Sequence, residues 1–295
     1  MDSVEKVTIQ GTEVPAIGLG TGRMAGEVCA EAVETALELG YRRIDTAQMY
    51  GNEDAVGRGI ERSDVPRENV FVTTKLNRSI VESMGYTLMT GKPLETGVRR
   101  GNLNRDRVTE SVEGSLKRLG TSYVDLLLIH APGTRVPLRE TLGAMNRLRK
   151  EGKVRNIGVS NFSPEQLERA TEASAAPVLS NQVRHNVFYD QTETLEACVE
   201  NDVMLTAYTP LNRGRGLDND LLVEIGERHD KTPAQVVLRW LLQQESVSAI
   251  PKASTRDHQE ENIDVFDFEL DDDETERIGA LNEGFVDRVR SALRV

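Results

Sequence analysis

Cysteine is almost absent from this 295-residue chain: Cys29 and Cys198 stand alone in separate segments that read as helices. Two isolated thiols exclude a disulfide framework and offer no metal-ligand spacing, so both are expected to be buried and inert. Lysine is scarce too, eight of the 36 basic side chains, against 48 acidic residues and a net charge of −12. Nucleic acid and anionic membrane both demand clustered positive charge, and no such cluster is present. An acidic, lysine-poor surface suits a high-salt cytoplasm; GC-rich codon usage would leave the same mark. Apolar runs never reach the roughly 18 residues of a membrane span, and the opening MDSVEKVTIQ lacks the apolar stretch of a signal peptide. A cytoplasmic location is expected.

What the chain has in abundance is alternation. β-Branched runs recur eight times, at 16–20, 41–45, 69–75, 123–130, 154–160, 178–183, 203–208 and 247–252. Amphipathic stretches near 27–39, 53–62, 107–119, 138–150, 164–173, 191–201 and 219–244 lie between them, and another follows at 271–282. This is the pattern of parallel strands joined by helices. Ser163-Pro164 opens one helix, and Gly40, Gly120 and Gly152 follow the ends of others. Ahead of the first strand, VTIQGTEV (7–14) reads as a hairpin turning at Gln10-Gly11, placed to plug the lower end of a barrel. The expectation is an α/β fold, a single (β/α)8 TIM barrel over residues 1–295 with an N-terminal β-hairpin. One connection departs from the short βα loops of such a barrel: about thirty residues, 76–106, follow the third strand.

Three polar residues close apolar strands: Asp45 ends YRRID, Lys75 ends VFVTTK and His130 ends VDLLLIH. In a parallel barrel, side chains at the carboxyl ends of the strands point into the mouth where chemistry is done. Tyr50 follows five residues after Asp45. A tyrosine, with a pKa near ~10, donates a proton readily at neutral pH only beside a cation that stabilises its phenolate. Lys75 supplies that cation, Asp45 keeps it charged, and a neutral His130 orients a carbonyl oxygen. The four make an acid for an alkoxide as it forms. Each has a plainer reading. Asp45 and Lys75 are also a plausible structural ion pair, and a strand-end lysine suits a Schiff-base aldolase. A nucleotide-binding, redox-sensing regulatory subunit without turnover is the non-enzyme alternative. His185 and His229 read as surface or loop histidines, and the acidic run 269–274 as a solvated helix start.

The motifs GLGTGRM (18–24), DTAQMYGNE (45–53), TTK (73–75), LLLIH (126–130), GVSNF (158–162), NQV (181–183), AYTPLNRG (207–214) and IPKAS (250–254) occur in this order along the chain. On them the chain resembles the aldo-keto reductases, in particular prokaryotic members of the 2,5-diketo-gluconate reductase type. The resemblance implies reduction of aldehydes or ketones by hydride transfer from a nicotinamide dinucleotide, with Tyr50 as general acid and Asp45, Lys75 and His130 around it. It also implies that Ser160, Asn161 and Gln182 hold the nicotinamide carboxamide and that Tyr208 stacks on its ring. Thr209, Leu211 and Arg213 would meet the pyrophosphate, and Lys252, Ser254, His258, Glu261 and Asn262 the adenosine end. Gly20, Thr21 and Asp45 complete the cofactor-binding set. NADPH is the cofactor expected, with NADH possible, because His258 stands where many NADPH-preferring relatives have arginine and Ala253 replaces a common serine. The partner is a small carbonyl compound; the protein is expected to be a monomer or weak oligomer. Gly22, Met49 and Ala131 replace aromatic residues that line the substrate pocket of many relatives. The 76–106 loop, with Tyr86, Arg99 and Arg100, is a candidate lid or a simple insertion.

Overall fold

A computed structural model describes residues 4–76, 105–133 and 136–282. Strands β1 (Lys6–Ile9) and β2 (Thr12–Pro15) form the antiparallel hairpin. Gln10 and Gly11 take φ of 52° and 74° at its turn, the pair of left-handed residues that a tight hairpin needs. Eight parallel strands follow: β3 (Leu19–Gly20), β4 (Arg43–Asp45), β5 (Phe71–Leu76), β6 (Val124–Ile129), β7 (Val154–Ser160), β8 (Val178–Arg184), β9 (Met204–Tyr208) and β10 (Val247–Ile250). Each pairs with its sequence neighbours. The seam between first and last is stitched by backbone bonds: Gly18 N donates to Ala249 O (2.9 Å), Ala249 N to Ala16 O (2.8 Å) and Gly20 N to Pro251 O (2.9 Å). These close the (β/α)8 barrel.

Helices α1 (Gly26–Glu38), α2 (Glu53–Arg62), α3 (Arg105–Leu119), α4 (Leu138–Lys150), α5 (Pro164–Ala173), α6 (Thr192–Glu200), α7 (Asp220–His229), α8 (Pro233–Leu242), α9 (Arg256–Ile263) and α10 (Asp272–Gly279) cover the outside. Alternation along the strands sorts the core. Leu127 and Ile129 pack among the helices, whereas Leu126 and Leu128 meet Leu179, Met204 and the hairpin residues Ile9 and Val14 inside the barrel. The hairpin is therefore the expected plug, and each of its two apolar side chains contributes about 1.5–3 kcal/mol by leaving water. Both cysteines are buried, and burial pushes each thiol up to about 12.

Several sequence expectations need correction. The single helix expected over 219–244 is two: Asp230 turns left-handed (φ 55°), then Thr232 caps Pro233–Leu242 with a capping box to Gln235. The Thr-Pro pair is the same start signal as Ser163-Pro164. Helix α9 has no counterpart among the amphipathic stretches, since its buried residues are Gln259 and Asn262, which carry no apolar period. The first strand is shorter than 16–20, because Ile17 joins the sheet only through an isolated bridge to Ala249. His185 is not a surface residue: it is 4% exposed, packed on Trp240 and within 3.2 Å of Gln244 Oε1. His229 closes α7 with Nε2 2.8 Å from Glu274. Glu274 itself is buried rather than solvated and completes a capping box with Asp271. The lid expected in 76–106 lies, apart from Leu76, Arg105 and Asp106, outside the described residues.

Candidate active site

Strands β4, β5 and β6 each deliver one charged or polar group at or just past their carboxyl ends. Lys75 Nζ is ion-paired with Asp45 Oδ1 and donates to Thr46 O at 2.9 Å. Gln182 Nε2, from β8, donates to the other Asp45 oxygen at 2.7 Å. Asp45 and Lys75 are each 1% exposed. The Lys75 ammonium lies 5.1 Å from the Tyr50 ring centroid, and the His130 ring stands edge-on to that ring at 6.1 Å. His130 Nδ1 is buried without a hydrogen-bond partner among the described residues. The four residues expected to act together are therefore brought together.

Their electrostatics follow from burial and charge. Burial alone would push the Lys75 ammonium down, but Asp45 and Tyr50 outweigh it and hold the lysine above its ordinary value. Burial pushes the Tyr50 phenol up, and Lys75 opposes that rise. The net direction at Tyr50 is upward, so Lys75 limits the effect of burial rather than making the phenol more acidic than free tyrosine. His130 falls to about 3, by burial first and then by Lys75. A neutral imidazole at physiological pH donates one hydrogen bond without carrying charge.

The turn that presents Tyr50 is held from both sides. Upstream, Gln48 Nε2 donates to Ser115 Oγ (3.0 Å) and its Oε1 accepts from Ser111 Oγ (2.9 Å), both on α3. Downstream, Glu53 is 1% exposed, accepts from Thr74 Oγ1 at 2.6 Å and pairs with Arg118 at 2.7 Å. Asn52 ties three segments together, accepting from Thr46 Oγ1 (2.8 Å) and donating to Thr21 O (2.9 Å) and Met24 O (3.0 Å). Sequence reading assigned none of these residues a role, although Gln48, Asn52 and Glu53 sit within the motif around Tyr50. Gly22 also reaches this turn: a Cβ there would lie 3.7 Å from Tyr50 Cζ. Met49 and Ala131 are half-buried nearby in sequence, beside Tyr50 and His130.

The remaining residues expected to bind a cofactor follow the ends of the later strands. Asn161, left-handed at φ 60°, donates to His130 O and Ser160 Oγ, each at 3.0 Å, and accepts from Tyr208 Oη at 2.9 Å. Ser160 Oγ donates to Gln182 O at 2.7 Å. Thr209, Leu211 and Arg213 follow β9, where Thr209, Asn212 and Arg213 all have positive φ. Lys252 and Ser254 are exposed after β10, and His258, Glu261 and Asn262 lie on α9. Glu261 already accepts from Thr232 Oγ1 at 2.6 Å and faces His258 Nδ1 at 3.3 Å. Thr21 and Gly20 are buried: the Thr21 hydroxyl is spent on Asp45 O at 3.0 Å, and a Cβ on Gly20 would strike Ile250 O at 2.7 Å. A dinucleotide fits this set, since Asn161 links the His130 backbone to the Ser160 hydroxyl and the Tyr208 phenol, which puts amide, hydroxyl and aromatic groups next to one another. The arginine and glycine of the next turn suit phosphate.

The model of the Aldo/keto reductase family matches residues 16–283. The chain belongs to the aldo/keto reductase family. Glyoxal reductase of Bacillus subtilis (strain 168) is 38% identical over 274 residues, covering 92% of this chain and 91% of that protein. The crystal structure of a putative 2,5-diketo-D-gluconic acid reductase B superposes with a TM-score of 0.85 at 40% identity, covering 94% of this chain and 91% of the other. An aldo-keto reductase of Bombyx mori, solved in complex with NADP, superposes with a TM-score of 0.83 at 30% identity, covering 95% and 94%. This aldo/keto reductase is thus an NAD(P)H-dependent oxidoreductase that reduces carbonyl groups. No helix among its described residues is long and apolar enough to cross a membrane.

Proposed function

We propose that this aldo/keto reductase uses Tyr50 as general acid to reduce small, reactive aldehydes and ketones, with dicarbonyls of the glyoxal kind first among them. The observation that carries the reading is the Lys75 ammonium, pinned by Asp45 and Thr46 and facing the Tyr50 ring at 5.1 Å beside the His130 imidazole. Bound NADPH supplies the hydride. His130, neutral, would donate a hydrogen bond to the carbonyl oxygen and so hold that oxygen beside the Tyr50 phenol. Tyr50 gives its proton to the oxygen as negative charge develops there, and Lys75 stabilises the phenolate left behind. Ser160, Asn161 and Gln182 orient the carboxamide, and Tyr208 offers its ring as the stacking face. Gln182 does a second job, since its amide also fixes Asp45. Lys252 and Ser254 are the groups best placed for a 2′-phosphate, while His258 adds no permanent charge. The protein is read as a single-domain cytoplasmic monomer or weak oligomer.

The Schiff-base reading is disfavoured. A nucleophilic lysine must shed its proton, whereas Asp45 and Tyr50 hold that of Lys75 in place. The decisive experiment follows NADPH absorbance with glyoxal, methylglyoxal and keto sugars, comparing wild type with Tyr50→Phe. Loss of the acid should lower kcat by about 10²–10⁴-fold with cofactor binding retained. Cofactor binding without turnover in the wild type would favour the redox-sensing alternative. Unaltered kcat in the variant would remove Tyr50 from the mechanism.

A further inference from the structure

Two residues before Asp45 on β4, and on the same inward face, Arg43 is completely enclosed, 0% exposed inside the barrel. A buried arginine ordinarily sits against a carboxylate. This one does not. Its Nη1 donates to Ser248 Oγ (2.9 Å) and Pro15 O (3.5 Å), and its Nη2 to Thr206 Oγ1 (3.0 Å). Its Nε has no hydrogen-bond partner among the described residues. Thr206 in turn bonds Ser180 (2.9 Å) and Ser248 (3.0 Å), so three hydroxyls from β8, β9 and β10 line its surroundings. The Phe71 ring of β5 lies 5.8 Å from the guanidinium. Room for the side chain exists because residue 18 is glycine: a Cβ there would lie 2.8 Å from Arg43 Cγ.

Among the described residues, the charged group that raises Arg43 against its burial is Asp45, two residues on along the same strand. Burial brings the guanidinium down to about 10, still well above neutrality. The barrel core therefore carries two positive charges, Arg43 and Lys75, against one negative charge, Asp45. Among the described residues, four groups face Tyr50: Asp45 from β4, Lys75 from β5, the neutral His130 just past β6 and the phenol of Tyr208 from β9. Asp45 resists formation of a second negative charge at Tyr50. Arg43 sets a positive charge beneath that carboxylate, and a Tyr50 phenolate would bring the sum over Arg43, Lys75, Asp45 and Tyr50 to zero. Charges in such an interior act over longer distances than at the surface, because little water screens them.

We propose that Arg43 is a positioning residue for proton transfer, whose buried charge, acting through Asp45, sets the upper pH boundary of carbonyl reduction. The proposal rests on Tyr50 being the acid. Reduction needs Tyr50 protonated and the reverse oxidation needs the phenolate, so removing Arg43 moves the two directions oppositely. The test is kcat/KM against pH, for carbonyl reduction and for alcohol oxidation, in wild type, Arg43→Met, Arg43→Gln and Tyr50→Phe.

In both neutral variants the alkaline limb of reduction moves up by about half to one pH unit, and oxidation at neutral pH falls by about 3–10-fold. The displacement persists in 0.5 M salt, because the charge is enclosed. Gln keeps a donor for Ser248 and Thr206, whereas Met keeps none, so a shared displacement reports charge. A limb that stays within 0.2 unit in a folded, active variant, or that moves only in the Met variant, overturns the proposal. Activity retained in Tyr50→Phe would instead sink the assignment of the acid.

Discussion

Replacing Asp45 by Asn removes one charge from the centre of the barrel and leaves Lys75 and Arg43 buried as cations without a counter-ion. The pair lies in contact at 1% exposure on both sides, so screening by water gives little relief. Breaking such a pair from one side costs about 3–5 kcal/mol. The new amide cannot satisfy both donors, because one of its two terminal atoms would face Lys75 Nζ or Gln182 Nε2 as a donor against a donor. The sign of the pH dependence provides the sharper test. In the wild type the folded pKa of Lys75 is raised above its ordinary 10.5, so the stability it contributes is fully present below 10.5 and is lost only above that. Wild-type stability should carry no slope from this residue between pH 7 and 9.

In Asp45→Asn the folded value of Lys75 is depressed instead. The unfolded chain then binds more protons than the folded one, and stability rises with pH by up to about 1.4 kcal/mol per unit. Trp240 is the only tryptophan of the chain and is 9% exposed, which makes it a convenient reporter. Urea unfolding followed by its fluorescence at pH 7, 8 and 9 should show the variant gaining stability while the wild type does not. Parallel dependence in the two proteins, or a loss below about 1 kcal/mol, would refute the account of the pair.

His130, brought down to about 3, stays neutral through the working range, so reduction should show no limb near pH 6–7 from this residue. Its stability contribution should be present above 6.5 and vanish as pH falls toward 3, and His130→Asn should flatten an acid unfolding curve over that interval. Thr232→Ala removes the capping box at α8 and should cost about 1 kcal/mol in urea unfolding, with KM for the carbonyl substrate unchanged. His258→Arg places a permanent cation beside Glu261 at the adenosine end. Steady-state assays should show preference for NADPH over NADH rising by about tenfold, equivalent to about 1.4 kcal/mol; an unaltered ratio would remove position 258 from cofactor selection.

The barrel was legible because apolar alternation and the residues that interrupt it are independent signals that agree. Asp45, Lys75 and His130 stood out because a polar residue closing an apolar strand has few structural reasons to be there. The same logic failed where polarity was itself buried. Helix α9 turns Gln259 and Asn262 inward, and hydrophobic periodicity has nothing to detect in RDHQEENI. Arg43 lies in the strand reading YRRID beside Arg42, and only the register of β4 distinguishes the enclosed guanidinium from its half-exposed neighbour. His185 was misplaced because its partners Trp240 and Gln244 lie more than fifty residues away in sequence. The break between α7 and α8 was readable in Thr232-Pro233, but the amphipathic pattern ran across it and won.

Gly22 has a consequence for how this enzyme's selectivity can change. Its backbone lies outside the left-handed region, and a Cβ would meet Tyr50 at ordinary van der Waals distances of 3.7–3.9 Å. A Cβ can therefore be introduced there without left-handed backbone strain or a steric clash. One codon change would narrow the room beside the proton donor, while Asp45, Lys75 and Arg43 stay untouched beneath the mouth. Selection can thus act on which carbonyl compounds are accepted without renegotiating the buried charges on which the reaction depends.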